Sequence, residues 1–279
     1  MALLAMQGLP AAAWAHEPDF TFGADTAIGF DTNIKYAEDS RDVVGSAVAS
    51  EDLRADYLRR LGEDFAAQLR GSLKGEQYFR YTNISSVKGA GMLRLVYRPS
   101  GAFFAPELSA WGSAAYWRFG SYIRTSREYR YGLAAAEGLT TRISLRLSLN
   151  GSRRISNTQV FTIDSRCAGL GLDWRLADRL TAYGNYQYHY GQVVSTGTPS
   201  GRIVGAADVI EPDDAFGGQA AGQFAYRLKA HTGIADAGLN YFLSPHMAID
   251  AQAQYIESHA RLDNRYSSWI STVSLLLRF

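Results

Sequence analysis

Hydrophobic and polar residues alternate along most of this sequence, so that every second position is apolar. In the stretch RISLRLSLN, residues 142–150, the apolar positions Ile143, Leu145, Leu147 and Leu149 are separated by Arg or Ser. A period of two is that of a β-strand, whose successive side chains point to opposite faces. The same alternation returns at 20–33, 69–79, 93–98, 129–133, 168–175 and 249–255.

This pattern predicts about twelve strands, joined by connections that alternate between short and long. The predicted strands are 20–36, 51–60, 65–80, 87–98, 107–122, 127–136, 142–155, 161–175, 181–195, 230–243, 248–260 and 266–279. The tight connections are EGLTT, RLADRL and FLSPHM, and the long ones are 37–52 and about 197–228. An even number of such strands fits an all-β fold, a single closed antiparallel transmembrane β-barrel with short turns at one rim and longer loops at the other. The strands at 51–60 and 107–122 are the least regular.

Soluble β-sandwiches and lipocalin-like barrels also contain alternating strands, but their apolar face forms a core. Here many positions on the apolar side are Ala or Gly, which would fill a core poorly. Aromatic residues also lie near predicted strand ends, where a membrane barrel has its interface girdles. They are Trp174, Tyr183, Tyr186, Tyr188, Tyr190, Tyr241 and Trp269. The apolar face is therefore expected to contact lipid.

An apolar run at the amino terminus predicts export. Residues 3–15, LLAMQGLPAAAWA, end in Ala13-Trp14-Ala15, an A-x-A site of the kind that signal peptidase cuts. We predict a signal peptide at 1–15 and a barrel at 16–279. No basic segment precedes the apolar run, so the signal peptide is expected to be truncated at its start. A buried amino-terminal helix is the alternative.

The last strand carries the clearest resemblance to a known class. SSWISTVSLLLRF, residues 267–279, places Val273, Leu275, Leu277 and Phe279 on one side and ends on Phe. With the export signal and the alternating strands, it resembles Gram-negative outer-membrane β-barrel proteins, whose assembly machinery recognises such a terminal strand. The resemblance covers essentially all of the mature chain.

The resemblance implies a location and partners, but it is weak for function, because barrels of this class include channels, enzymes, adhesins and anchors. It implies the cell outer membrane, with both termini in the periplasm and the 197–228 loop outside the cell. The implied partners are outer-membrane lipid and lipopolysaccharide, and the barrel assembly machinery during biogenesis.

Charged residues are distributed unevenly over the predicted lumen face. A basic wall is predicted on strands three to eight, and an acidic wall on strands one, ten and eleven, which barrel closure brings together. Such charges either pair across a narrow lumen or give a water-filled pore a transverse field, with Arg142 and Arg146 as central contacts. The basic wall comprises Arg70, Lys74, Arg94, Arg98, Arg130, Arg142, Arg146, Arg166 and Arg175, and the acidic wall comprises Asp25, Asp31, Asp236 and Asp250.

Catalytic and metal-binding motifs are weak. His189 is followed by Asp213 and Asp214, the residue types of a rim protease, but a solvated rim accounts for them better. IEPDDAFGG, from Ile210, has clustered carboxylates without the spacing of an EF-hand. A net charge of +1 argues against a nucleic-acid binder, and a single cysteine, Cys167, excludes an internal disulfide. We expect no enzymatic activity, metal or cofactor.

Two functions from different classes fit this sequence. The first is a passive, porin-like channel for small polar or anionic solutes. The second is a closed, non-conducting barrel that serves as an envelope scaffold or a surface interaction protein, because twelve strands is near the size at which side chains fill the lumen. A hydrolase at the barrel rim is a third, weaker hypothesis.

Overall fold

A computed structural model describes residues 20–99 and 105–279. The predicted signal peptide, 1–15, lies outside the described residues. Those residues form β1 (Phe20–Asp31), β2 (Ser46–Arg60), β3 (Phe65–Tyr78), β4 (Ser86–Tyr97), β5 (Glu107–Phe119), β6 (Ser126–Gly138), β7 (Ile143–Ser156), β8 (Ile163–Ala177), β9 (Leu180–Gly197), α1 (Gly201–Ala206), β10 (Val209–Pro212), β11 (Phe224–Ser244), β12 (Met247–Ala260) and β13 (Arg265–Arg278). Among them, no helix has the length and hydropathy required to cross a membrane.

Twelve of the strands close into an antiparallel barrel, which confirms the predicted fold class. Each strand pairs with its neighbours in the chain, β13 pairs with β1, and β9 pairs directly with β11. The short β10 is an extra strand that pairs with β11 at Val209–Pro212, beyond the part of β11 that pairs with β12. Closure leaves no unpaired strand edge in the ring, which a sheet in lipid requires.

The strand limits agree with the sequence pattern except where loops fold over the barrel. Strand β1 ends at Asp31 instead of 36, because the chain then turns into the lumen. Strands β2 and β11 begin earlier than predicted, at Ser46 and Phe224, since both extend into the loop region. The two irregular segments, β2 and β5, are both strands of the ring.

The two faces of the sheet carry the predicted residue types. Leu147 and Leu149 are 52% and 63% exposed on the outer face, while Ser148 between them faces inward. The aromatic residues proposed for the girdles are on the outer face with one exception. Tyr183 points inward and its hydroxyl donates a 2.8 Å hydrogen bond to Asp250 Oδ2. The predicted girdle position of Tyr183 was wrong, because Tyr183 is two residues from Asn185 and so points to the same face of the strand, the lumen face.

The connections sort onto two rims. The tight turns predicted at EGLTT, RLADRL and FLSPHM join β6 to β7, β8 to β9, and β11 to β12, at the rim where β1 begins and β13 ends. The longer connections, including 32–45 and 198–223, lie at the opposite rim. These are called the terminus rim and the loop rim below.

The terminal strand seals the barrel with its last residue. Val273, Leu275 and Phe279 are exposed on the outer face, and Leu277 shares their parity. The Phe279 N–H donates to Phe22 O at 2.9 Å, and Phe22 N–H donates to Phe279 O at 3.0 Å. Recognition of this strand by the assembly machinery stays a prediction.

The facing of β7 is tested by a pair of adjacent arginine substitutions. Leu149→Arg should lower the free energy of unfolding by about 2–4 kcal/mol, because it places a charge in the apolar band. Ser148→Arg points to the lumen and should have a small effect. Urea titration of the protein refolded into lipid vesicles measures both, and equal effects would contradict the register.

Deletion of Phe279 should reduce the amount of folded barrel in the membrane, since it removes two hydrogen bonds from the β13–β1 seam and the terminal Phe of the predicted assembly signal. Heat-modifiable migration on a gel measures the folded fraction. Phe279→Tyr, which retains the backbone bonds and an aromatic ring, is the matched control. An unchanged folded fraction after the deletion would contradict both roles.

Candidate functional site

Charged side chains line the lumen as ion pairs along the wall. Most pairs join neighbouring strands, because inward side chains of paired residues lie close together. They are Arg54–Asp25, Arg70–Asp56 at 2.6 Å, Arg94–Glu107 at 2.8 Å, Arg146–Asp173 at 3.6 Å, Lys74–Glu76 at 2.8 Å within β3, and Glu128 with both Lys88 at 3.5 Å and Arg154 at 3.4 Å. The charges therefore pair along the wall, not across the lumen, and the prediction of two opposed single-sign walls is corrected accordingly.

Most members of the predicted basic wall face the lumen at different heights. Arg70, Lys74, Arg94, Arg130 and Arg146 are on the inner face of their strands. Three others lie near the terminus rim: Arg98 follows β4, Arg142 precedes β7, and Arg175 is near the end of β8.

Two of these placements correct the sequence analysis. Arg142 is exposed in the turn before β7, so it is not a central contact of the lumen. Arg166 is exposed on the outer face of β8, where it pairs with Tyr190. The prediction for Arg166 was wrong because it shares the parity of Ala168 and Leu170, which are apolar outward positions.

A central polar patch lies on the inner face of β5 to β9, and we define it as Trp111, Arg130, Asn150, Cys167, Gln187 and His189. The Arg130 guanidinium lies 6.0 Å from the Trp111 ring and makes no ion pair with any residue that the structure describes. Between the side chains of Trp111 and Asn150 lies Gly132, where a Cβ would come within 2.3 Å of Asn150 Oδ1. Glycine at this position lets both side chains extend over the wall.

Unsatisfied polar atoms make this patch a candidate for binding a solute. Trp111 Nε1 and Asn150 Oδ1 are buried and have no hydrogen-bond partner among the described residues. His189 Nε2 is 3.1 Å from Gln187 Oε1, and its Nδ1 is 3.4 Å from Ser165 Oγ. The patch therefore offers one cation and several neutral hydrogen-bonding groups.

The predicted acidic wall separates into two environments. Asp236 accepts hydrogen bonds from Asn185 and Gln252, and Asp250 accepts them from Tyr183 and Asn240, so both carboxylates are held by neutral donors.

The other two carboxylates are on β1. Asp25, in the middle of the strand, pairs with Arg54, whereas Asp31, its last residue, is buried near the loop rim and accepts a hydrogen bond from Ser268. The four residues thus do not form one continuous acidic surface.

Residues 198–223, called the lid, lie across the loop rim of the barrel. The lid joins β9 to β11. The connection between β3 and β4 is at the opposite point of the ring, since six strands lie between the two connections in each direction around the barrel. Yet Phe216 of the lid packs on Ile84 of that connection, and its ring is 4.9 Å from Tyr81. The lid therefore spans the mouth from one wall to the other.

A buried carboxylate holds the lid in this position. Asp213 is fully buried and accepts hydrogen bonds from Arg124, in the connection between β5 and β6, and from Thr196 Oγ1 at 2.7 Å. The neighbouring Asp214 accepts one from Ser121. A buried charge with two such donors is well compensated, and removal of one partner is costly.

A second loop, residues 32–45, folds into the lumen and is called the plug. Its Lys35 O accepts a hydrogen bond from Thr196 N at 2.8 Å, and Tyr36 O accepts one from Ser195 Oγ at 2.8 Å. The plug thus crosses from β1 to β9 beneath the lid. Lys35 Nζ donates to Gln223 Oε1 of the lid at 2.8 Å, and burial lowers the pKa of this ammonium group.

Lid and plug divide the lumen into a closed upper part and a wetter lower part. Inner residues of β11 to β13 near the loop rim, such as Ile234, Ser258 and Ser268, are 0–1% exposed. Toward the terminus rim, the paired side chains of Arg54, Arg70 and Arg94 remain 15–18% exposed. Water therefore reaches the lower lumen, while the loop rim is covered.

The structure separates the residues considered for catalysis. His189 contacts Gln187 and Ser165 on the barrel wall, whereas Asp213 and Asp214 bind Arg124, Thr196 and Ser121 in the lid. Within the described ranges, no group of three or more His, Cys, Asp or Glu side chains is arranged to hold a metal ion. Asp213 and Asp214 of IEPDDAFGG thus fasten the lid to its neighbours.

Known proteins resemble this chain in structure but not in sequence. Comparison with protein-family models and with curated proteins gives no match. An outer-membrane channel from Pseudomonas putida F1 aligns over 95% of this chain and 97% of its own, with 12% identity and a TM-score of 0.62. The NanC porin aligns over 91% and 98%, with 8% identity and a TM-score of 0.51.

The chain has the fold of outer-membrane β-barrel channels. At identities this low, the likeness establishes the fold alone, and it confirms the resemblance inferred from the terminal strand. Both of these structural neighbours are a channel or a porin and not an enzyme.

The lid contacts predict a specific effect of one uncharged substitution. Asp213→Asn should destabilise the closed lid by about 2 kcal/mol, roughly a thirtyfold rise in its opening, because it breaks a buried ion pair with Arg124. Hydrogen exchange of the amides at 198–223 measures this opening. Asp214→Asn, at an exposed position with a single partner, is the matched control and should change the exchange little.

Proposed function

We propose that this protein is a porin-like channel of the outer membrane that admits small polar or anionic solutes, and that the lid and plug close it in the conformation described. The observation that carries the proposal is Arg130, a lumen guanidinium that forms no ion pair with any described residue, beside the unsatisfied Trp111 Nε1 and Asn150 Oδ1. The neighbouring carboxylate of Glu128 is instead paired with Lys88 and Arg154. A protein that only needed a filled lumen would gain nothing from leaving these groups without partners.

The wall chemistry supports a polar solute. Ion pairs and amides along the inner strands present donors and acceptors that replace part of a solute's hydration shell. Arg54, Arg70 and Arg94 are each neutralised by a paired carboxylate. Arg130 forms no ion pair within the described part of the chain, so its positive charge sets the local charge in the middle of the lumen. An anion is therefore favoured there over a cation.

The same proposal includes an orientation of the barrel in the outer membrane. We place both termini in the periplasm and the lid outside the cell, with outer-membrane lipid and lipopolysaccharide around the barrel. The barrel assembly machinery is the proposed partner during biogenesis. The resemblance of the terminal strand, Val273 to Phe279, supports this placement.

The competing function is a closed barrel that acts as a scaffold or surface protein. The lid favours it, because Phe216, Ile34 and Ile84 form an apolar cluster over the mouth. Channel and scaffold differ in one respect: a channel must conduct once the lid and the plug are removed, whereas a filled barrel does not.

Single-channel conductance in planar bilayers tests the proposal. Replacement of 201–222 and of 33–44 by short Gly-Ser linkers should raise the conductance, because it removes the lid and the plug and leaves the barrel strands intact. In that background, Arg130→Glu should shift ion selectivity toward cations. Arg166→Glu makes the same charge change on the outer face and should leave the selectivity unchanged.

Two results would contradict the channel. A barrel without lid and plug that is folded, by heat-modifiable migration, yet shows no conductance would support the scaffold function. A selectivity that does not respond to Arg130→Glu, or responds equally to Arg166→Glu, would remove the central polar patch from the conduction path.

A further inference from the structure

Three arginines lie side by side on the outer face of the barrel near the loop rim. Arg118, Arg127 and Arg153 are exposed on β5, β6 and β7, within four residues of the strand ends at that rim. Arg127 is paired with Tyr116 of β5, and Arg118 is two residues further along that strand. Arg153 is paired with Tyr129 of β6, which is two residues from Arg127. The three side chains therefore form one basic cluster across three adjacent strands.

These guanidinium groups have little compensation within the protein. Arg118 and Arg127 make no hydrogen bond or ion pair with a residue of 20–99 or 105–279. Arg153 is 3.8 Å from Asp164, but both side chains are about two-thirds exposed, so this pair is weak. An arginine on the lipid-facing side of a barrel is tolerated near the interface and costly at the membrane centre. The position of the cluster is that of lipid headgroups.

A groove leads from this cluster toward the middle of the outer face. It has a volume of about 340 Å³, with Gly89, Gly91 and Ala114 at its floor and Tyr116, Tyr129 and Arg127 around it. A Cβ added at Gly89 or Gly91 would have no protein atom within 4 Å, so the floor is open backbone facing outward. The groove is apolar along the barrel and cationic at the loop rim.

We infer that the groove and the arginine cluster bind one phosphate-bearing lipid, with an acyl chain in the groove and the phosphate at Arg118, Arg127 and Arg153. The occupant follows from charge and from the fold. The outer face of a membrane barrel contacts acyl chains, and guanidinium groups bind phosphate oxygens through paired hydrogen bonds. Tyr116 and Tyr129, 52% and 47% exposed, have the amphipathic rings that suit the boundary between the two.

The site is independent of conduction through the lumen. It lies on the opposite face of the sheet from the central polar patch, so a failure of the channel proposal would not affect it. Only the choice of leaflet rests on the proposed orientation, which would make the ligand a lipid of the outer leaflet. A protein that binds lipid here and does not conduct would be a scaffold with a lipid site.

Native mass spectrometry of the full barrel in neutral detergent tests this inference. Phosphatidylglycerol, diacylglycerol with the same acyl chains, and inorganic phosphate are titrated separately. Phosphatidylglycerol should bind as one tight adduct, and the other two should bind far more weakly, because each carries half of the recognised chemistry. Equal binding of diacylglycerol would overturn the role of the arginines. Equal binding of inorganic phosphate would overturn the role of the groove.

Matched substitutions separate the site from general lipid adhesion. Arg127→Gln should weaken phosphatidylglycerol binding about tenfold, the effect of losing a hydrogen bond to a charged group. Arg166→Gln removes an outer arginine away from the groove and should not. Gly91→Leu should fill the groove and reduce binding similarly, whereas Gly184→Leu, at an outward position of β9 away from the groove, should not.

Folding is checked for each variant by heat-modifiable migration, and Gly89→Leu serves as a second groove-filling variant if Gly91→Leu does not fold. Loss of binding in the site variants alone supports the inference. Unchanged binding in Arg127→Gln, or equal losses in Arg166→Gln and Gly184→Leu, would overturn it.

Discussion

Backbone hydrogen bonding in lipid is the constraint on which this structure depends. A strand edge that is open to hydrocarbon would leave N–H and C=O groups without partners, at a cost of several kcal/mol each. The chain meets this constraint by pairing β13 with β1 and β9 with β11, and Phe279 itself completes the seam with Phe22. Because every strand is fixed between two others, the facing of each side chain follows from its parity.

The alternation of inward and outward positions determines which side chains line the lumen. Charged residues on paired strands are brought together inside, so Arg70 meets Asp56 and Arg94 meets Glu107. Most lumen cations are neutralised locally in this way, but Arg130, in the middle of the wall, forms no ion pair with a described residue. The lid adds a different kind of interaction, since Asp213 binds Arg124 of the β5–β6 connection while Phe216 packs on Ile84 of the opposite wall.

The sequence predicts those features that depend on neighbouring positions. Alternation at Leu145, Leu147 and Leu149 is sufficient for the strands and the overall fold, because a period of two is the repeat of an extended strand and not of a helix. It also gives the facing of Asp56 and Glu107, so the wall pairs could have been found by aligning adjacent strands in register. Arg166 was placed wrongly because its charge was given more weight than its parity.

The closure of the mouth depends on distant residues, which a local pattern does not describe. Asp213 and Arg124 are 89 positions apart, and Phe216 packs on Ile84 across the barrel. Length alone indicated that residues 197–228 exceed the needs of a turn. Whether such a loop extends into solvent or lies across the mouth depends on partners that only the closed barrel brings within reach.

The plug has a consequence for the order in which the protein assembles. Asn33 Nδ2 donates to Ser267 O, 234 positions away in the chain. The hydrogen bonds of the plug with Ser195 and Thr196 join residues that are about 160 positions apart. Contacts that are so distant in sequence form only when the first and last strands have met. The plug is therefore one of the last parts of the molecule to become ordered, and its docking marks a barrel whose assembly is complete.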